Sequence, residues 1–212
     1  MSYACSNGEN CNPDNGEVKY GFAFKRMASF CTITHHKVLV LRHCFHVGLY
    51  WQGLVHDLSK YSPTEFKVGV QYYQGDRSPN TAERAELGYS TAWMHHKGRN
   101  KHHYEYWIDM RANRDATFEG KPIPTRYVVE MFCDRVAASK VYQGSAYADD
   151  SALKYLHLEQ SADGELMFHP ESQQLLETML TWLAEEGETA AFKRIKREIV
   201  KAHYTTPATK RF

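Results

Sequence analysis

Apolar residues recur at helical spacing along most of this chain, and that periodicity constrains its fold more than any other feature. In residues 34–47 Thr34 can cap a helix start and Gly48 its end. The apolar stripe between them consists of Val40, Leu41, Cys44 and Val47. Residues 125–142, which end before Gly144, have a second such stripe, Val128, Val129, Met131, Phe132 and Val136. Since no segment alternates as a strand does, the sequence predicts an all-α fold.

Start and stop signals predict the other helices. A short helix is expected at 51–58, and Ser62 with Glu65 forms a capping box for a helix to about Tyr73. Asn80 with Glu83 predicts a helix to about His96. Further helices are expected at 19–31 (short), 151–157, 171–186 and 188–203. The predicted organisation is a disordered or loosely packed leader over 1–18, a helical core over 19–144 and C-terminal helices packed on it over 145–212.

Composition narrows the class of protein. With 26 basic and 25 acidic residues the net charge is +1, so there is no strong signal for nucleic acid or an anionic membrane. No apolar run approaches the roughly 20 residues that span a bilayer. Five cysteines and no secretory segment predict a cytoplasmic protein. Cys5 and Cys11 are interpreted as free thiols, with a metal pair or a disulfide as alternatives.

Histidine is the unusual component, because nine of the 12 lie between 35 and 103. His56 and Asp57 end a predicted helix, and adjacent helical residues diverge by about 100°, so they can reach one point only near a helix end. An imidazole and a carboxylate there form a mixed site suited to Zn, Mn, Fe or Mg. Asp134 lies mid-helix among apolar residues, where a carboxylate is costly unless it is paired or bound to metal. Its neighbour Arg135 does not face it.

Three groups of residues follow one another in an order that is found in a known superfamily. They are a histidine on one helix (His36), a His-Asp pair ending the next (His56-Asp57) and an aspartate on a later helix (Asp134). Over residues 33–143 the chain therefore resembles the HD-domain superfamily of metal-dependent phosphohydrolases. The resemblance implies an HD-domain-like helical bundle with a C-terminal helical extension. It also implies one or two divalent ions (Mn, Fe, Co, Ni, Zn or Mg) bound by those four residues. Because the gap from His36 to His56 is short for the superfamily, His35 and His43 are alternative first ligands.

The chain is more narrowly similar to an uncharacterised bacterial and phage family with the HD-like fold, for which no settled activity is implied. The matching motifs are His36-Lys37, His56-Asp57-Leu58-Ser59-Lys60, Glu65-Phe66, His95-His96-x3-Asn100-x-His102-His103-x-Glu105-Tyr106-Trp107 and Glu130-Met131-x2-Asp134.

The superfamily resemblance also suggests roles around the ion. Asp57, Lys60 and His96 are the expected catalytic residues, with Asp57 positioning or deprotonating the attacking water and Lys60 neutralising phosphate. His95 and His96 are candidate ligands of a second ion. Glu65 and Glu130 would orient histidines, although Glu65 could serve only as a helix cap. The expected substrate-binding residues are Lys60, His95, Arg99, Asn100, His102 and His103, with exposed or solvated side chains as the alternative interpretation.

These observations predict a metal-dependent phosphohydrolase acting on a nucleotide or another small phosphoester through metal-activated water. One alternative is a di-iron HD-type oxygenase, and another is a non-catalytic metal-containing module that binds a ligand or regulates. The expected partner is a small phosphorylated molecule, and a homo-oligomer stays open.

Overall fold

The chain is described by a computed structural model over residues 9–11, 18–75, 77–112, 117–162 and 167–202. Regular structure in these ranges is almost entirely helical, which confirms the all-α class. The helices are α1 Phe22–Val47, α2 Tyr50–Val55, α3 Pro63–Gln71, α4 Pro79–Leu87, α5 Thr91–Lys97, α6 Thr125–Gln143, α7 Ser151–Ala162, α8 Pro170–Glu186 and α9 Glu188–Arg194, the last continuing as a π-helix over Ile195–Lys201. None of the helices in this part of the chain combines the length and the apolar character needed to cross a bilayer.

The structure also contains four short strands in its described part, which the sequence did not predict. β1 (Glu9–Cys11) pairs antiparallel with β2 (Val18–Tyr20), and β3 (Ile108–Met110) pairs antiparallel with β4 (Phe118–Gly120). Each has three residues, which is too short to display an alternating pattern. Most of the predicted leader, including Cys5, lies outside the described residues, and so does the side chain of Cys11.

Several predicted helix boundaries need correction. α2 ends at Val55 rather than 58, and α7 continues to Ala162 rather than ending near 157. α1 begins at Phe22 rather than near Thr34, so the separate short helix expected at 19–31 is part of it. Thr34 does not cap a helix; its hydroxyl lies 3.1 Å from the hydroxyl of Tyr61. The expected helix from Asn80 to His96 is two helices, because Gly88 takes a left-handed φ of 82° and ends α4.

Glu83 explains why a second helix starts after Gly88. Its buried carboxylate accepts hydrogen bonds from the hydroxyls of Ser90, at 2.6 Å, and Thr91, and from the backbone N–H of Ala92. Those groups lie at the start of α5, whose first N–H groups have no partner within the helix. Glu83 therefore caps α5, and the residue at the N-cap of α4 is Ser78 rather than the predicted Asn80.

The chain divides into two compact units. The first contains residues 1–35 and 58–96, and within it α3 packs on α4 while the Ser29 hydroxyl donates to the Gly69 carbonyl at 3.1 Å. The second contains residues 36–57 and 97–212. Its core joins residues of α1, α6, α8 and α9, among them the fully buried Val40, Phe132, Leu180 and Ala191. α6 lies in this core, and seven of its apolar residues between Val128 and Ala137 are buried.

A candidate metal centre in the second unit

The structure brings together the four side chains expected to bind a metal. His36 lies on α1, His56 and Asp57 directly follow α2, and Asp134 lies on α6. One donor atom from each lies within 4.8 Å of the others. Nε2 of His36 is 2.8 Å from Oδ1 of Asp134, and Nε2 of His56 is 3.5 Å from the same oxygen. These residues could therefore hold one cation.

Helical periodicity in α1 explains why His36 faces this centre. It precedes Val40 by one helical turn, and Val40, Cys44 and Val47 form the buried stripe of the helix. His35 is exposed. His43 is buried, but its Nδ1 donates to the backbone carbonyl of Cys133 at 3.2 Å. Of the three candidates for the first ligand, the structure places only His36 in the cluster.

A backbone turn lets two adjacent residues reach the same point. α2 ends at Val55, and Asp57 has a φ of 52°, in the left-handed region that few residues other than glycine adopt. After this turn Nε2 of His56 lies 3.4 Å from Oδ2 of Asp57. Lys37 holds the segment from α1, because its Nζ donates to the carbonyls of Leu54 at 3.0 Å and His56 at 2.7 Å.

Gly53 allows α2 to lie close to α1. A Cβ added at Gly53 would lie 2.9 Å from Cβ of Cys44 and 3.3 Å from the carbonyl oxygen of Leu41. Any side chain there would push the two helices apart. Since His56 follows α2 by one residue, the missing side chain at Gly53 helps to set the distance between His56 and His36.

Glu130 orients His56 from one turn before Asp134 on α6. Its Oε1 accepts a hydrogen bond from Nδ1 of His56 at 2.9 Å. The same oxygen lies 3.3 Å from Nδ1 of His102. Burial opposes ionisation of Glu130, but its contacts with His102 and His56 outweigh this and keep the pKa of its carboxyl below the usual range. With Nδ1 of His56 bound to a carboxylate, Nε2 is the nitrogen directed to the cluster.

Electrostatics of the cluster favour a bound positive charge. Burial disfavours a charged His56, yet the carboxylates of Asp57, Asp134 and Glu130 outweigh burial and raise its pKa to about 10. Burial likewise opposes ionisation of Asp134, while hydrogen bonds from His36 and His56 hold its pKa well below the usual range. Nε2 of His56 is buried and lies 3.4 Å from Oδ2 of Asp57 and 3.5 Å from Oδ1 of Asp134. A proton or a metal ion satisfies this site, and two imidazoles with two carboxylates suit a first-row divalent metal.

The predicted second-ion ligands belong to the first unit. Nδ1 of His95 and Nδ1 of His96 each lie 2.7 Å from an oxygen of Glu65, and these contacts outweigh burial in lowering the pKa of that carboxyl. Ser62 caps α3 by accepting from the backbone N–H of Glu65, which confirms one half of the predicted capping box. The reciprocal half is wrong, because the Glu65 carboxylate binds the histidines.

The remaining residues predicted to contact substrate are divided between the two units. Lys60 is half-buried in the 3₁₀ turn Leu58–Tyr61 of the first unit. In the second unit Arg99 is exposed and Asn100 half-buried, and the His103 ring lies 4.2 Å from that of His102. Their roles toward substrate stay predictions.

His102 is placed differently from its expected role. It is buried, with Nε2 3.4 Å from Oδ1 of Asp57 and 3.7 Å from Oδ2 of Asp134, so it lies against the metal cluster. Sequence reasoning had assigned it to substrate. Lys37 was not singled out for any role. No local pattern separates His102 from His103, or shows which carbonyls Lys37 would reach.

Comparison with known proteins identifies a family without assigning an activity. Residues 25–182 match the profile of DUF5662, described as a family of unknown function. The chain belongs to DUF5662. The whole cluster of this DUF5662 chain, from His36 to Asp134, lies within the matched residues. No curated protein and no solved structure matches the chain.

Proposed function

We propose that this DUF5662 protein is a metal-dependent phosphohydrolase acting on a nucleotide or another small phosphoester. The observation that supports it is the convergence of His36, His56, Asp57 and Asp134 within 4.8 Å of one another in a buried setting. Its order along the chain is that of the HD-domain superfamily, which the sequence resembles.

A divalent ion at this centre would be held by His36, His56, Asp57 and Asp134. When bound, such an ion would lower the pKa of a water molecule and polarise the phosphoryl group. Asp57 orients the attacking water and accepts its proton. His36 and Asp134 would supply the other two donors, and Glu130 keeps His56 in the tautomer that presents Nε2. The expected phosphate contacts of Lys60, His95, His96, Arg99, Asn100 and His103 rest on the sequence alone.

The test is metal removal and reconstitution. Protein purified without chelators is analysed for bound metals, stripped, and reloaded with Mn, Co, Ni, Fe, Zn or Mg one at a time. Each form is assayed on a panel of nucleotides and simple phosphoesters. We expect turnover that disappears on stripping and returns with at least one ion.

Matched variants locate the activity. Asp134→Asn should reduce kcat/KM by more than the roughly 100-fold typical of changes outside the ligand shell. Asp109→Asn is the control, because Asp109 is exposed on β3 and its Oδ1 accepts from the N–H of Met110, which an amide also permits. A fully metal-loaded protein that turns over none of the panel, or an Asp134→Asn variant as active as the wild type, would contradict the proposal.

A second candidate is a di-iron oxygenase, favoured by the position of His102. Its Nε2 adds a third imidazole beside Asp57 and Asp134, at 3.4 Å and 3.7 Å. Two irons per chain with a mixed-valent signal would favour oxidation, and one Mn, Co, Ni or Mg would favour hydrolysis. A non-catalytic module would instead show ligand-dependent thermal stabilisation without turnover.

A further inference from the structure

One oxygen of Glu130 contacts two imidazoles that come from distant parts of the second unit. Oε1 lies 2.9 Å from Nδ1 of His56, which follows α2, and 3.3 Å from Nδ1 of His102, which precedes the 3₁₀ turn Tyr104–Trp107. All three side chains are buried. The two rings lie with centroids 4.4 Å apart and planes inclined by 37°.

This arrangement determines which nitrogen each ring presents elsewhere. A carboxylate oxygen accepts hydrogen bonds, so the Nδ1 atom facing it carries the proton, and the opposite Nε2 of a neutral ring carries the lone pair. Nε2 of His102 lies 3.4 Å from Asp57 and 3.7 Å from Asp134, which are the carboxylates that Nε2 of His56 also approaches. Both rings therefore direct the same type of donor to the same two carboxylates.

We propose that Glu130 is a positioning residue that serves His56 and His102 together, and that His102 is a fifth protein donor of the metal centre. The inference rests on the metal site of the proposed function and is independent of its reaction. Loss of the Glu130 carboxylate would release both rings at once, so its effect on metal affinity includes the effect of losing His102.

The experiment is a double-mutant cycle on metal affinity. Metal-free wild type, Glu130→Gln, His102→Gln and the double variant are each titrated with Co²⁺ alone, and the visible absorption of bound Co²⁺ is recorded. Glu177→Gln is the matched control, because Glu177 also accepts from a histidine, with 2.9 Å between its Oε1 and Nε2 of His157, but on the exposed surface. Circular dichroism and unfolding curves of the metal-free forms show whether each variant folds.

We expect Glu130→Gln to weaken Co²⁺ binding by about 10- to 100-fold, the range typical of residues that orient metal-bound histidines. His102→Gln should reduce Co²⁺ affinity less in the Glu130→Gln background than in the wild type, because the effects of substitutions at residues that share contacts are not additive. The Co²⁺ spectrum of His102→Gln should differ in intensity from that of the wild type, since the number of protein donors changes. Glu177→Gln should match the wild type.

Several outcomes would overturn the inference. Glu130→Gln with an affinity within twofold of the wild type excludes the positioning role, and strictly additive effects exclude the shared one. An unchanged spectrum in His102→Gln excludes the fifth donor, and this measurement remains decisive even when Glu130→Gln fails to fold. If the wild type binds Co²⁺ but turns over no phosphoester, the proposed reaction is contradicted and this inference is not. If the wild type binds no divalent ion, both are contradicted.

Discussion

Asp57 has two unusual features: its carboxylate lies beside His56, and its backbone φ is 52°. Side chains with a Cβ rarely adopt this left-handed region, although Asn and Asp do so more readily than Ala. The strain lies at the point where the chain leaves α2 and turns toward the cluster. Such strain is often retained where a site requires it.

Two substitutions separate the effect of the Asp57 charge from the effect of its backbone conformation. Asp57→Asn and Asp57→Ala should both lose bound metal, because each removes a carboxylate donor. Asp57→Ala should in addition have a free energy of unfolding about 1 kcal/mol below that of Asp57→Asn, since alanine tolerates the left-handed region poorly. Elemental analysis and urea denaturation of the metal-free variants measure the two effects. Full metal retention by either variant would remove Asp57 from the centre.

His43 provides a test of pH dependence away from the cluster. Burial lowers its pKa to about 4; the Cys133 carbonyl and Glu188 oppose this shift, while Lys140 and His46 add to it. The folded chain therefore stays unprotonated at His43 while the unfolded chain binds a proton as pH falls below about 6.5. Because the unfolded state binds more protons, we expect this residue to reduce stability progressively from pH 6.5 to 4, by on the order of 2–3 kcal/mol.

The measurement compares wild type with His43→Gln by urea denaturation at several pH values. The difference in their unfolding free energies should shrink as pH falls, because only the wild type loses this contribution. His157→Gln, at an exposed histidine, is the control. A difference that stays constant from pH 6.5 to 4 would contradict the assignment.

At the scale of elements, close helix packing and the ends of helices bring the ligands together. Cys44 and Leu41 of α1 lie against Gly53 of α2, and Lys37 of α1 binds the carbonyls that α2 leaves unpaired at its end. α6 contributes Glu130 and Asp134 one turn apart, so a single helix supplies both the carboxylate that orients His56 and a member of the cluster.

Two glycines in helices should respond to alanine in opposite ways. Gly53→Ala should destabilise the chain by about 1–3 kcal/mol through overpacking and weaken metal binding, because its Cβ would lie 2.9 Å from that of Cys44. Gly69→Ala in α3 has no atom within 4 Å of the added Cβ and should stabilise the chain by roughly 0.5–1 kcal/mol. Denaturant unfolding and Co²⁺ titration check both. Equal effects of the two substitutions would contradict the close packing of α2.

For the whole molecule, a ligand that binds only the folded state must raise stability. At a free Co²⁺ concentration 100 times its Kd, the gain is about 2.7 kcal/mol, which corresponds to a rise in Tm of about 5–10 °C at this chain length. Differential scanning calorimetry with and without Co²⁺ measures it. Asp134→Asn should show no such rise and Asp109→Asn the full rise. An equal rise in both variants would place the bound ion elsewhere.

Local patterns were sufficient to predict much of the chain. The apolar stripes of α1 and α6, the Ser62 cap and the helix stops at Gly48 and Gly144 depend on neighbouring residues, so they can be read from the sequence. Asp134 was singled out because a carboxylate amid apolar residues is costly unless it is paired or bound to metal. The full set with His36, His56 and Asp57 came from the resemblance to the HD-domain superfamily. The prediction missed the helix stop at Gly88 and therefore also missed the partners of Glu83, which follow that turn.

Only the tertiary structure decided which of the many histidines meet. His56 and Glu130 are 74 positions apart, and their contact depends on α2 lying close to α1 and on α6 lying in the same core. His35, His36 and His43 are equivalent in type and nearly so in position, yet packing exposes the first, brings the second to Asp134 and gives the third a backbone partner. The sequence by itself determined the helices and the supply of ligands; the choice among ligands followed from packing, because an imidazole's partner is set by distance in space.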